Sequence, residues 1–292
     1  MNLKLISLNA HSLHGDVEKN LEGLCELLEK ERPDAVALQE VNQYADAPRA
    51  DCDHIDGFYR VATCACPVPL KEGNFALELF WRMARKGIPY HFSWLPVKLG
   101  YGRFDEGLAI FCREPIRQAC GFYISEAREY GNWKTRMALL AELKESSLYI
   151  CNTHTSRYDD PDEPFYEQWK RLDGMLYAKD RLFLMGDLNN PAEIRGEGYD
   201  RISESGYFDL YRLADVRRGA PSTVEGKIDG WRDGGLSEGG RIDFIFSGFY
   251  PEADKISYFR VLDGERGQVV SDHFGVCVHI EGLEMDFYER KK

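Results

Sequence analysis

Residues 182–189 read Leu-Phe-Leu-Met-Gly-Asp-Leu-Asn. An apolar run this short, with no polar interruption, is the pattern of a strand covered on both faces. It stops at Gly186, and two polar side chains, Asp187 and Asn189, follow directly. The same arrangement recurs along the chain. The apolar run at 3–8 closes on Asn9, the run at 35–38 on Gln39 and Glu40, and the run at 148–151 on Asn152 and His154. Asp272 and His273 precede a run at 276–280, and Asp243 lies inside one at 242–246. Runs at 108–111 and 137–143 complete the set of predicted strands.

Between the first two strands, Val17, Leu21, Leu24 and Leu28 repeat on one helical face. Asp16 is placed to cap that helix and Pro33 to end it. A weaker helical pattern, Trp169, Leu172 and Leu176, lies within 167–178. The stretches 41–106, 155–166 and 190–240 show neither period, and their Trp, Tyr and Gly content reads as ordered substrate loops. Strands spread evenly with few helices between them predict an α/β sandwich of two packed sheets, formed by residues 1–292 as one domain. A simple βαβ alternation fits less well.

The formal net charge is −12. A protein that grips nucleic-acid backbone gains affinity from Lys and Arg, so this balance argues against a polyanionic partner, although a local basic groove can sit on an acidic body. No apolar run is long enough to cross a membrane, and the first residues lack the pattern of a secretory signal; the expected location is the cytoplasm. Eight cysteines are too sparse for a disulfide scaffold. Cys52, His54, Cys64 and Cys66 lie close in sequence, but no second Cys pair at zinc-finger spacing supports a metal site, and reduced, packed thiols fit better.

Taken singly, the polar residues at the strand ends are ordinary. Asn and Asp form turns, and a lone His is commonly structural. Asp243 is harder to dismiss, because an unpaired carboxylate within an apolar strand is costly; a His or Arg must pair with it. Taken together, the set meets a chemical need. Phosphoester hydrolysis calls for a hard cation, and Mg²⁺ takes oxygen ligands. Glu40 can supply a carboxylate and Asn9 a carbonyl oxygen beside it. The attacking water must be deprotonated or oriented, which a His held by a carboxylate can do; Asp243 and His273 fit that pair. Asn189 and His154 can donate hydrogen bonds to oxygens of the transition state.

The segments Ser7-Leu8-Asn9, Leu38-Gln39-Glu40-Val41, Asn152-Thr153-His154, Gly186-Asp187-Leu188-Asn189, Ile242-Asp243-Phe244-Ile245 and Ser271-Asp272-His273 resemble, in order, the motifs of the endonuclease/exonuclease/phosphatase superfamily. The resemblance spans nearly the whole chain. It implies a deoxyribonuclease-I-like, four-layer α/β/β/α sandwich of two mixed β-sheets with its site at one edge of the pair. It implies that Glu40 ligates Mg²⁺ or Mn²⁺ with Asn9 beside it and Asp272 near the metal. Asp187 would orient or activate water, Asn189 contact phosphate, Asp243 orient His273, and His154 bind the scissile phosphate or help the leaving oxygen. Either Asp187 or His273 is the base. One departure stands out: His11 occupies a position where some nuclease members carry an Asp.

The stretches 189–200 and 223–231 look like those of small bacterial members, among them phosphatases of the maltose 6′-phosphate type. The expected substrate is therefore a small sugar phosphate such as maltose 6′-phosphate, with no nucleic acid and no membrane as partner. The alternatives are a nuclease or DNA-repair phosphodiesterase, which needs a basic groove, and a non-enzymatic binding module on the same scaffold. Trp81, Trp94, Trp133 and Trp231 are candidates to pack against a sugar ring, although Trp is buried on average and most of them are expected to be core anchors. Arg136, Lys227, Arg195 and Lys134 are candidates for phosphate oxygens, with a plain surface charge as the commoner role for each. Arg241, next to Asp243, is open to two readings: a structural group paired with a neighbouring carboxylate, or a further cation for phosphate.

Overall fold

The computed structural model describes residues 1–51, 55–62, 68–226 and 239–284. The Cys52, His54, Cys64 and Cys66 group, and with it Lys227 and Trp231, lies outside the described residues. The elements are, in chain order, β1 (Leu3–Asn9), α1 (Val17–Glu31), β2 (Ala35–Tyr44), α2 (Phe75–Arg85), β3 (His91–Gly100), β4 (Phe104–Cys112), β5 (Ile116–Tyr123), β6 (Met137–Leu143) and β7 (Tyr149–His154). Then follow α3 (Phe165–Leu176), β8 (Leu182–Asp187), α4 (Gly198–Glu204), β9 (Phe208–Asp209), α5 (Leu210–Leu213), β10 (Val216–Arg218), β11 (Asp243–Ser247), β12 (Lys255–Val261) and β13 (Gly275–Glu281).

The strands form two mixed sheets, in the orders β10-β12-β13-β1-β2-β4-β3 and β5-β6-β7-β8-β11-β9. β1 lies parallel to β2 and antiparallel to β13; β8 lies parallel to β7 and antiparallel to β11. Side chains alternate across a strand, and the apolar residues divide accordingly into three layers. Leu3, Leu5, Ala35 and Ala37 of the first sheet meet Ile150, Phe183, Met185 and Ile245 of the second. Ile6, Leu8, Val36 and Leu38 face outward onto α1 and α2. Leu182, Leu184, Phe244 and Phe246 face outward onto α3 and α4. The result is the expected helix, sheet, sheet, helix order. Among the described residues no helix is long and apolar enough to cross a membrane.

α1 forms where its pattern predicts. Asp16 accepts a hydrogen bond from the Lys19 N–H, and Leu21, Leu24 and Leu28 are buried. The expectation of a continuous substrate loop over 41–106 is corrected. β2 runs on to Tyr44, and α2 and β3 follow. α2 is capped by Asn74, whose side chain accepts from the Ala76 and Leu77 N–H groups, and it buries Phe75, Leu79, Phe80 and Met83. β3 contains Pro96, which weakens a strand reading, but β3 lies at the edge of its sheet and its register with β4 shifts just there. An edge position or a bulge tolerates the missing N–H. The 190–240 stretch likewise contains α4, β9, α5 and β10.

Candidate active site

The alternation that sorts the core also places the polar groups. Asn9 follows Leu3 and Leu5 in parity, Gln39 follows Ala35 and Ala37, and His154 and Asn152 follow Ile150. Asp187 follows Phe183 and Met185, and Asp243 shares the face of Ile245. At one end of the sandwich the apolar layer between the sheets gives way to these side chains. Asn152 ties the sheets together there: its amide donates to the Leu38 and Ala109 carbonyls, both at 2.8 Å, and its oxygen accepts from Gln39 at 2.7 Å.

Glu40 breaks the alternation. By parity with Val36 and Leu38 it would point outward at α1 and α2. The register against β4 shifts between Leu38 and Val41, and Glu40 has φ +50°. This is a β-bulge, which adds a residue and re-aims a side chain. Val41 returns to the outer layer. The bulge is held from behind: the Ser12 hydroxyl and N–H donate to the Glu40 carbonyl at 2.7 and 3.2 Å, and the Asn42 N–H donates to Ser12 Oγ at 2.7 Å. Trp94 Nε1 donates to the Val41 carbonyl at 3.0 Å. Trp94 is therefore a buried anchor of the bulge, not a platform for sugar. Thus aimed, the Glu40 carboxylate accepts from Asn9 Nδ2 at 2.9 Å.

Asp187 stands at the centre. Its carboxylate accepts from Asn9 Nδ2 at 3.1 Å and from the Asn189 N–H at 2.9 Å. His154 Nε2 and His273 Nε2 lie 3.5 and 3.8 Å away. The Asn189 amide donates to the Thr155 carbonyl and to His154 Nε2, each at 3.0 Å, which makes His154 Nε2 an acceptor and puts its proton on Nδ1. Asn189 reaches this position in the left-handed region, at φ +48°. His273 Nδ1 lies 2.9 Å from Asp243 Oδ2, with both groups buried. Thr223 fastens that pair: its hydroxyl accepts from the Ile242 and Asp243 N–H groups, and its carbonyl accepts from the Phe274 N–H. Asp272 pairs with His11 Nδ1 at 2.9 Å, and Ser271 Oγ donates to the Asn9 carbonyl at 2.8 Å. His11, where nucleases can carry an Asp, thus holds a carboxylate instead of supplying one.

Burial, then the charge of Asp243, pushes the Asp187 carboxyl up to about 7. Burial alone would lower His273, but the charge and hydrogen bond of Asp243, with Asp187 and Asp272 nearby, carry it up to about 10. Burial and the charges of Arg136 and Lys98 hold His154 well below its usual range, so it is neutral. Burial works against ionising Asp272, yet the His11 hydrogen bond and the His273 charge bring it down to about 2. Burial and the Glu106 carboxylate raise Glu40.

This donor set suits a hard divalent cation. Glu40 is strained toward its neutral form by burial and by a like charge, Asp243 Oδ1 is buried with no hydrogen-bond partner, and the nearby acceptors are oxygens. Asp187, Asp243 and His273 also bring ligand atoms within 4.8 Å of one another. Glu40 adjoins this group through Asn9, whose amide donates to both the Glu40 and the Asp187 carboxylates.

Of the described candidate cations, Arg136 alone reaches the site, where it lines a cavity with Glu40, Glu106 and His154. Lys134 is buried and donates to Asp160 at 2.7 Å, and Arg195 pairs with Asp200 at 2.6 Å. Arg241 takes the structural one of its two readings: it binds Asp209 through both terminal nitrogens. Trp81 lies on α2 in an outer layer, and exposed Trp133 packs over Lys134. Sequence reasoning missed Ser12, Thr223, Lys98 and Glu106. The last two, 3.0 Å apart, become neighbours only through the β3–β4 pairing.

The model of the Endonuclease/Exonuclease/phosphatase family matches residues 6–273. The chain belongs to this family. As a family member it is a hydrolase acting on phosphoester bonds. Solved structures show the same fold. An endonuclease/exonuclease/phosphatase family protein from Leptotrichia buccalis C-1013-b is 23% identical, with a TM-score of 0.78 over 97% of this chain and 100% of that one. The Bacteroides thetaiotaomicron VPI-5482 mannosyl-6-phosphatase Bt3783 is 18% identical, with a TM-score of 0.60 over 97% and 100%. TDP2 from C. elegans is 16% identical, with a TM-score of 0.59 over 97% of this chain and 76% of that one. No curated protein matches the hydrolase by sequence.

Proposed function

We propose that the protein is a phosphomonoesterase that requires a divalent cation, Mg²⁺ or Mn²⁺, and acts in the cytoplasm on a small sugar phosphate, with maltose 6′-phosphate as the first substrate to try. The observation that carries this reading is the meeting of Asn9, Glu40, His154, Asp187, Asn189, Asp243 and His273 in one cluster of polar contacts. Glu40, with Asn9 and Asp272 alongside, would hold the cation, which when bound neutralises charge on the phosphoryl oxygens.

The remaining residues act by orientation and proton handling. Asp187, fixed by Asn9 and by the Asn189 N–H, faces inward as the base that takes the proton of the attacking water. His273, held as an imidazolium by Asp243, directs Nε2 at the same point and stabilises negative charge on the phosphoryl group. The Asn189 amide holds neutral His154 through Nε2, which leaves the His154 Nδ1 proton to position a further phosphoryl oxygen. The sugar-phosphate reading draws support from the likeness to a mannosyl-6-phosphatase and from the net charge of −12, which disfavours a long polyanion.

The test is a screen of sugar phosphates, nucleotides, inositol phosphates and nicked or abasic DNA with Mg²⁺ or Mn²⁺. Phosphate release from sugar phosphates, abolished by EDTA, is expected. Clean cleavage of DNA at low enzyme concentration with no phosphate release would overturn the reading.

A further inference from the structure

Beside Glu40 and His154 lies a small cavity lined by Val97, Glu106, Gly107, Leu108, Arg136 and Met137. Two of its features are unusual. The Arg136 guanidinium lines it without an ion pair among the described residues, and its Nε is buried with no hydrogen-bond partner. The neighbouring carboxylate, Glu106, is instead occupied by Lys98 at 3.0 Å, and both of those side chains are largely buried. A half-buried guanidinium whose Nε is buried without a partner, beside a carboxylate satisfied by another cation, is a costly arrangement, and an anionic ligand atom would relieve it. The cavity is also short. Val97, Leu108 and Met137 are buried around it, and it has room for about one water-sized group.

We infer that this cavity is the seat of the third non-bridging oxygen of a phosphomonoester, bound by Arg136, and that it excludes diesters. A monoester carries three such oxygens and, as a dianion, the charge to match an extra cation; a diester has two, and its second ester carbon needs more space than the cavity offers. Lys98 acts behind this seat as a positioning residue. By neutralising Glu106 it keeps that carboxylate from pairing with Arg136. The inference rests on the phosphomonoesterase reading and adds to it the residue that sets monoester over diester.

The test compares the metal-loaded enzyme with Arg136→Gln and Val97→Ala on p-nitrophenyl phosphate and bis(p-nitrophenyl) phosphate, and measures protection against thermal unfolding by inorganic phosphate. For Arg136→Gln, kcat/KM on the monoester should drop about 10²-fold, the scale of losing one oxyanion donor, while the diester value changes by less than about threefold. Phosphate protection should be lost with it. Val97→Ala, which lengthens the cavity, should narrow the preference for monoester from the other side and so carries the test if Arg136→Gln folds poorly. Equal losses on both esters, or a Val97→Ala enzyme with unchanged preference, would overturn the inference and leave the hydrolase reading intact. A parent enzyme that cleaves neither ester but is still protected by phosphate through Arg136 would sink the proposed function and keep the anion seat.

Discussion

Gly186 tests the placement of Asp187 most directly. It sits in β8 immediately before Asp187, at φ +148°, a conformation that suits glycine. A Cβ there would press into the Thr153 carbonyl oxygen of neighbouring β7, with the Thr153 carbon and nitrogen at 3.0 and 3.1 Å. The obstacle is backbone inside a sheet, so β7 and β8 must part by roughly an ångström, a misplacement that can cost about 10² in rate. Backbone strain of about 1–3 kcal/mol adds to weakened ladder hydrogen bonds of about 1 kcal/mol each, for a stability loss of about 3 kcal/mol. Gly186→Ala should therefore show both an earlier urea midpoint and a kcat on p-nitrophenyl phosphate about 10²-fold lower, measured where the variant is still folded. Gly174→Ala is the control. Gly174 lies within α3 with open space where its Cβ would go, and alanine there should stabilise by about 0.5–1 kcal/mol without touching the rate. A Gly186→Ala protein with the parent's midpoint and full activity would refute the claim that close β7–β8 contact sets the position of Asp187.

Other substitutions separate the remaining roles. Asn189→Gly keeps a backbone free to adopt φ +48° but removes the amide, so kcat should fall about 10²–10³-fold with little change in midpoint; equal activity would remove Asn189 from phosphate positioning. Glu40→Gln should weaken Mn²⁺ binding by about tenfold or more, read by calorimetry, with the rate partly restored by excess metal; an unchanged affinity would move the ion elsewhere. Asp243→Asn should lower the His273 pKa from about 10 toward its ordinary 6.5, as followed by imidazole NMR. The sign for stability follows: because the folded value lies above the unfolded one, the stability from the His273–Asp243 pair is complete below pH 6.5 and is lost as pH rises through 10. A stability difference between parent and Asp243→Asn that grows toward high pH would contradict the assignment.

What the sequence disclosed followed the physics of each element. Strands buried on both faces, such as β8, show as continuous apolar runs, and the polar residues that end them mark one edge of the sandwich. β3 did not show, because Pro96 argues against a strand until its edge position is known. β12 did not show either, because Lys255, Ser257 and Arg260 dilute an apolar signal carried by Ile256, Tyr258 and Val261. Asp243 and His273 were legible as a pair because a carboxylate within an apolar strand demands a partner. Arg136, Lys98 and Glu106 were not separable from other charges, since what distinguishes them is which neighbour each lacks or holds once β3, β4 and β6 are in place.

Glu40 shows how far such reading extends. Its identity was visible at the end of an apolar run, yet the period of that run directs it away from the polar cluster, into the layer where Val36 and Leu38 meet α1 and α2. A carboxylate buried in that layer would be strongly destabilising. The bulge removes that penalty and aims the side chain at Asn9 in the same step, and the chain secures it with groups remote in sequence: Ser12 from the loop after β1 and Trp94 from β3. The strain of a non-glycine residue at φ +50° is thus kept by surrounding hydrogen bonds at the position where the chemistry needs a carboxylate. Ser12→Ala should loosen Glu40 without altering any group that faces substrate. It should therefore lower metal affinity while leaving the Asp243–His273 titration where it is, and a shift in that titration with metal affinity intact would reverse this account of how the site is built.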